Sequence, residues 1–250
     1  MKPVVCAIGT TEPWSAAGLG LDVRALAELG AHPLLVVAAV SAQDAGGVRA
    51  LHPVPLDVLR AQLAALRGAP VAAYRVGALP TVAVAREVAA TLAAAAVPSV
   101  YDPAMRATGG GELAGDDAVA VAWEVIPHAA VVTPNTSEAE RLLARPVRDL
   151  EAMRGAAREL AARGARAVVL TGGHLPGEPR DVLFADGELR EFAAPRIDAE
   201  LRGTGCLLAD ALAVALARGA TLAAAVETAR RYVRDKLSSG IPLGGMRVAD

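Results

Sequence analysis

The chain is poor in the residue types that mark many dedicated chemistries. Two cysteines, Cys6 and Cys206, make no disulfide framework, and four histidines make no zinc-binding spacing. A reducing cytoplasm is the expected compartment. Twenty-five lysines and arginines against 27 aspartates and glutamates leave a net charge of -2. With no basic run and no aromatic-basic stripe, nucleic acid is excluded as the main partner. The run VVCAI after Met1-Lys2-Pro3 is too short for a signal sequence. Alanine-rich stretches such as TLAAAAVPSV are too short, and too near charges, to cross a bilayer, so no membrane partner is expected. No G-x-x-x-x-G-K-[ST] loop occurs. No G-x-G-x-x-G follows the first apolar run either, where the chain reads IGTTEPWSAAGLGLD. An ATP-using enzyme would need another architecture.

What is present is apolar alternation. Of 250 residues 54% are hydrophobic, enough for a core without disulfides or structural metal. Strands are expected at 3–9, 32–40, 71–77, 98–102, 129–135 and 166–173, each continuously apolar, as when both sheet faces are covered. Helical patterns fill 18–29, 55–67, 80–95, 116–126, 136–144 and 149–163, with Gly30 and Gly164 at helix C-termini. Strand–helix alternation implies a mostly parallel sheet layered by helices. Asp186-Gly187 within DVLFADGELREFAAP (181–195) signals a hairpin. Two helices follow, at about 204–218 and 222–238. No linker, low-complexity tract or repeat interrupts the chain, so 1–250 reads as one domain.

The stretch LRGTGCLLADALAVALARG (201–219) sets a glycine turn before a long apolar helix. Gly203, Thr204, Gly205 and Cys206 would present free backbone N–H groups to an anion, an arrangement that suits phosphate. A thiol at a helix N-terminus is expected to have a lowered pKa. The plainer alternative is an ordinary loop with Cys206 as a small buried residue. Asn135 and Glu138 have capping-box spacing. Asp102 precedes Pro103 as a turn residue would.

Five segments, in order, resemble one family. They are LGLDVRALAELGAHPLLVVAAVSAQDAGGV (19–48), VYDPAMRATGG (100–110), VVTPNTSEAERLL (131–143), VVLTGGHLPGEPRDVLF (168–184) and the stretch from EFAAPRI through GTGC to ARRYV (191–233). The family is the hydroxymethylpyrimidine and phosphomethylpyrimidine kinases of thiamine synthesis, in the vitamin-kinase branch of the ribokinase superfamily. The resemblance implies a three-layer α/β/α ribokinase-like fold and transfer of the ATP γ-phosphoryl group to a pyrimidine. It implies that Gly203, Thr204, Gly205 and Cys206 form the anion hole, with Cys206 as base. Asp102, Asn135, Thr171 and Gly173 would hold ATP, and Glu138 with Asp102 would hold Mg²⁺. Gln43, Gly18 and Asp22 would line the acceptor pocket; Trp14, in the loop that departs from the family, would stack on the ring or equally pack against a neighbouring helix. A cytoplasmic homodimer is implied as well.

Departures cluster near that acceptor. The family's opening A-G-S-D-S-S-G-G-A-G is IGTTEPWSAAGLG here, without its aspartate. Gly109-Gly110-Gly111 replace S-G-D, Thr171 replaces a lysine, and Glu200-Leu201-Arg202 replace N-T-H. Arg202 would place positive charge beside the phosphate. These changes leave open a pyridoxal- or pyridoxine-type kinase, or a non-catalytic pyrimidine-binding relative.

Overall fold

In a computed structural model, which describes residues 2–107, 109–114 and 117–250, the apolar runs pair into one sheet. In chain order its strands are β1 (Val4–Thr11), β2 (His32–Asp44), β3 (Gly47–Pro53), β4 (Val71–Val76), β5 (Ser99–Tyr101), β6 (Val131–Val132), β7 (Ala167–Thr171), β8 (Arg180–Ala185) and β9 (Glu188–Ala193). They lie side by side as β3-β2-β1-β4-β5-β6-β7-β8-β9. Pairs from β2 across to β7 are parallel, while β3, β8 and β9 run antiparallel to their neighbours. The helices are α1 (Gly18–Glu28), α2 (Leu56–Ala65), α3 (Val82–Ala94), α4 (Ala118–Val125), α5 (Thr136–Leu143), α6 (Leu150–Ala162), α7 (Thr204–Ala217) and α8 (Leu222–Ser239).

Strand alternation sorts the helices into two layers. On β1, Cys6 and Ile8 pack with Leu59 of α2, Val88 of α3, Val121 of α4, Leu142 of α5 and Met153 of α6. The intervening Val5 and Ala7 pack with Leu26 of α1, Leu212 of α7 and Val226 of α8. With both faces covered, the strands read as continuous apolar runs. Burying each Val, Ile or Leu side chain contributes about 1.5–3 kcal/mol before entropy is counted. This is the three-layer α/β/α architecture expected from sequence, and Cys6 is a wholly buried core residue within it.

The expected hairpin forms at β8–β9, with Asp186 and Gly187 at φ +52 and +79. Gly30 and Gly164 follow helix ends at φ +76 and +116. The expected 116–126 helix is seen as α4, followed by a 3₁₀ turn at Ile126–His128. Residue 116 lies outside the described residues, as does Thr108 of the 100–110 segment. Two features depart from expectation. The second strand continues to Asp44 and doubles back through Gly47, φ +110, into the edge strand β3. After α8 the chain forms a second hairpin, β10 (Ile241–Leu243) with β11 (Met246–Val248), closed by Gly244 and Gly245 at φ +56 and +82. Two consecutive left-handed residues suit the tight turn that matches strand twist.

β1 has parallel neighbours on both sides, β2 and β4, so the chain order reverses there. In open α/β sheets, ligands bind in the crevice beyond the strand carboxyl ends at such a switch point.

Candidate active site

The glycine turn is set by sterics. Gly203 precedes α7 at φ +84, and a Cβ there would lie 2.4 Å from Leu21 Cδ2 and 2.5 Å from the Ala16 carbonyl oxygen. Only glycine fits such a position without strain. The Leu207 N–H donates to the Gly203 carbonyl at 2.9 Å, and no side chain caps the helix. The N–H groups of Thr204, Gly205 and Cys206 therefore precede the first intrahelical donor, at the positive end of the helix dipole. A Cβ on Gly205 would stand 3.4 Å from Asp102 Oδ2, so the carboxylate after β5 sits directly against this turn.

Beneath the turn lies a buried charge group. Arg75 of β4, 1% exposed, has Nη1 3.2 Å from Asp22 Oδ2, Nη2 3.5 Å from Asp102 Oδ2 and Nε 3.5 Å from Asp210 Oδ1. Neither carboxylate oxygen of Asp22 or Asp210, nor Arg75 Nε, has a partner in hydrogen-bonding geometry. A proton held between Asp22 and Asp210 resolves that mismatch. Burial pushes Asp22 up to about 6, and burial with Asp22 beside it pushes Asp210 well above the ordinary carboxylate range.

This group corrects two expectations. Asp22 is fully buried under Arg75, so it braces the guanidinium and does not line open space. Cys206 has no lowered pKa. Burial pushes its thiol up to about 12, and Asp22, Asp102 and Asp210 add to that against the opposing pull of Arg75. The helix terminus favours thiolate by a modest amount, and desolvation beside three carboxyls outweighs it.

Along the same edge, Asn135 and Glu138 form the complete capping box of α5. Asn135 Oδ1 accepts from the Glu138 N–H at 2.9 Å, and Glu138 Oε2 accepts from the Asn135 N–H at 2.8 Å. Burial and the charge of Asp102 push Glu138 up to about 8. Asn135 also bridges to Thr171, whose N–H donates to the Pro134 carbonyl at 3.0 Å. Space beside Gly173 is open, while the Gly172 N–H is held by Asp181 Oδ1 at 2.9 Å. Asp102, Asn135, Glu138, Thr171 and Gly173 thus gather at the ends of β5, β6 and β7. No cluster of three or more metal-ligating side chains occurs among the described residues. Mg²⁺ needs none, since it typically takes one or two carboxylates and completes its shell with phosphates and water. The mutual repulsion of Asp102 and Glu138 fits such a cation.

On the other side of the turn, Gln43 at the end of β2 is buried, and its Oε1 accepts from Arg202 Nη2 at 3.3 Å. The 12–17 loop is folded around Glu12, whose carboxylate accepts the N–H groups of Trp14, Ala16 and Ala17. Trp14 is 38% exposed and packs on the β10–β11 turn, where a Gly244 Cβ would stand 2.5 Å from its ring. Gly18, at φ +57, presses so closely on the Thr10 carbonyl oxygen that a Cβ would lie 2.2 Å from it. That makes Gly18 a packing requirement at the start of α1. Sequence reading passed over Glu12, Arg75 and Asp210. The signal for the last two was a lone charge inside an apolar run, VAAYRVG and LLADALAVALA.

Comparison with known proteins gives consistent matches. The family model described as phosphomethylpyrimidine kinase matches residues 12–249. The hydroxymethylpyrimidine/phosphomethylpyrimidine kinase of Streptomyces coelicolor is 34% identical over 246 residues, 97% of this chain and 91% of that protein. The thiamine biosynthesis bifunctional protein ThiED of Geobacter sulfurreducens is 37% identical over 245 residues, 96% of this chain but 50% of that longer protein. Among solved structures, an ADP complex of Bacillus subtilis pyridoxal kinase superposes with a TM-score of 0.92 at 26% identity, covering 100% of this chain and 97% of that one.

Proposed function

The chain belongs to the phosphomethylpyrimidine kinase family and is a phosphotransferase, and we propose from that premise that it phosphorylates hydroxymethylpyrimidine, its monophosphate, or both, with ATP as donor. The observation that carries this reading is the convergence of Asp102 on the Gly203–Cys206 turn, with Glu138 close enough to Asp102 for their charges to interact. Phosphoryl transfer needs positioning and neutralisation of negative charge more than covalent help. Backbone N–H groups at 204–206 would hold the transferring phosphoryl without reorganisation. Mg²⁺, held by Glu138 and Asp102, would supply the positive charge that draws the triphosphate oxygens together. Asn135, Thr171 and Gly173 would line the path of the nucleotide. Gln43 would pair with the donor and acceptor edges of the pyrimidine, and Trp14 would close over the ring.

Cys206 adjoins the same turn and would take the acceptor's hydroxyl proton, provided positive charge arriving with metal and nucleotide draws its thiol down from about 12. A phosphate acceptor, already ionised, makes no such demand. The same reading carries a single kinase domain over 1–250 that acts as a homodimer in the cytoplasm. Among the described residues no helix is long and apolar enough to cross a membrane.

A second reading, pyridoxal as acceptor, is favoured by the full-length superposition on a pyridoxal kinase. A coupled ATP-consumption assay across hydroxymethylpyrimidine, its monophosphate and pyridoxal separates the two. Turnover of either pyrimidine supports the first reading, and turnover of pyridoxal alone replaces it with the second.

A further inference from the structure

Among the described residues the buried cations are Arg75, Lys236 and Arg202. Arg75 is matched by three carboxyls, and Lys236 by Glu28 at 2.7 Å. Arg202, 6% exposed, has no carboxylate within salt-bridge distance among the described residues. Its guanidinium meets only neutral groups. Nη1 donates to the Asp44 carbonyl at 2.8 Å and lies 3.1 Å from Met246 Sδ, and Nη2 donates to Gln43 Oε1 at 3.3 Å. The neighbouring Asp44 carboxylate is turned to Arg49 at 2.6 Å and to the Gly46 N–H. With the Gly46 N–H and Arg49, the Arg202 charge helps hold the Asp44 carboxyl below the usual range, but the Asp44 oxygens are bonded elsewhere. A buried guanidinium so weakly compensated is costly, and the position suits an anion from outside the chain.

Its location says which anion. Arg202 directly precedes Gly203 of the anion-hole turn. Its guanidinium reaches Gln43 on one side and packs close to Gly109 on the other, where an added Cβ would stand 2.9 Å from Nη1. A pyrimidine held by Gln43 with its methylene toward the 203–206 turn would carry any phosphate past this guanidinium. The planar fork of arginine suits two phosphate oxygens at once. We propose that Arg202 binds the phosphate of a phosphorylated pyrimidine acceptor and so makes phosphomethylpyrimidine, over hydroxymethylpyrimidine, the preferred substrate. This rests on the kinase reading above. The high pKa of the Cys206 thiol points the same way, because a phosphate oxygen needs no base.

The test compares wild type, Arg202→Gln and Arg202→Lys by steady-state kinetics with both pyrimidines at saturating Mg²⁺ and ATP. Wild-type turnover of either pyrimidine tests the kinase reading by itself. The ratio of the two specificity constants tests Arg202. A hydrogen bond to a charged group supports an expected ten- to hundredfold loss of kcat/KM for the monophosphate in Arg202→Gln, carried mostly by KM and at least tenfold larger than the loss for the alcohol. Arg202→Lys, which keeps the charge but not the fork, should lose part of the preference, and this outcome can be read even if Arg202→Gln fails to fold. Wild-type KM for the monophosphate should also rise with salt, and the glutamine variant should flatten that dependence. Equal losses for both acceptors, or an unchanged ratio in either variant, would overturn the proposal. Arg202 would then only brace Gln43 and the strand end.

Discussion

Glu138→Gln isolates a single buried charge. Glutamine keeps a side-chain oxygen for the Asn135 N–H, so the capping bond at 2.8 Å has a substitute. It removes a carboxylate whose pKa rises from 4.5 to about 8 on folding. The sign follows from linkage: a group with a raised folded pKa is protonated in both states below about pH 4.5, and ionisation then favours the unfolded chain increasingly as pH climbs toward 8. At 1.36 kcal/mol per unit, the wild type should lose about 3 kcal/mol from this group between pH 5 and pH 8, and the variant should lose none of it. For a chain of this size that corresponds to roughly 6–12 °C in Tm. The assay is thermal unfolding of both proteins across that range, plotted as variant minus wild type so that other titrations cancel. The difference should grow positively with pH. Adding Mg²⁺ with a non-hydrolysable ATP analogue should narrow it, because a cation beside Asp102 and Glu138 stabilises the ionised form. A difference that stays flat, or that shrinks with pH in the absence of metal, would refute the placement of Glu138 as a strained buried carboxyl.

Three further outcomes follow from the site. Cys206→Ala should lower kcat on hydroxymethylpyrimidine by about 10²–10⁴-fold and affect the monophosphate far less, and in wild type kcat on the alcohol should climb with pH above neutrality; equal effects on both acceptors in steady-state assays would reduce the thiol to a packing residue. Gly203→Ala combines a left-handed backbone with a Cβ 2.4 Å from Leu21 Cδ2, so differential scanning fluorimetry should show a loss of at least about 1–2 kcal/mol and turnover should collapse, whereas an unchanged Tm would contradict the packing described. Trp14→Ala should raise the acceptor KM about tenfold, in line with the loss of one aromatic contact, and abolish a fluorescence change on pyrimidine binding; persistence of that change in the variant would remove Trp14 from the acceptor side.

The central strands were legible because each is buried on both faces and leaves a continuous apolar run, as in HPLLVVAAV and RAVVLTGG. The β8–β9 hairpin was legible from Asp186-Gly187, since few residue types tolerate two left-handed positions. β3 and β10–β11 were not read. Their exposed, short or charge-interrupted runs, GVRALHP and IPL, carry no strong period, although Gly244-Gly245 was an available turn signal. At the site, the motif positions Asp102, Asn135, Glu138 and Thr171 meet as the strand-end rule implies. The thiol of Cys206 was misjudged for a reason local sequence cannot hold. Burial drives its pKa up first, and of the carboxyls that add to this Asp210 lies one turn along α7 while Asp22 of α1 and Asp102 after β5 reach it only through the fold.

The Arg75 group also bears on how this sequence can drift. Replacing Arg75 by a neutral residue strands Asp22, Asp102 and Asp210 without a counter-ion, and removing one partner of a buried ion pair costs about 3–5 kcal/mol. Replacing Arg75, Asp22 and Asp210 together with well-packed apolar residues can be neutral for folding, while Asp102 keeps its place at the glycine turn. Single substitutions are therefore blocked where combined ones are permitted. Positions 22, 75 and 210, separated by dozens of residues in the chain yet joined through one guanidinium, should change together or not at all across descendants of this sequence. A lineage with a neutral residue at 75 and both aspartates intact would have to have found another cation to stand among them.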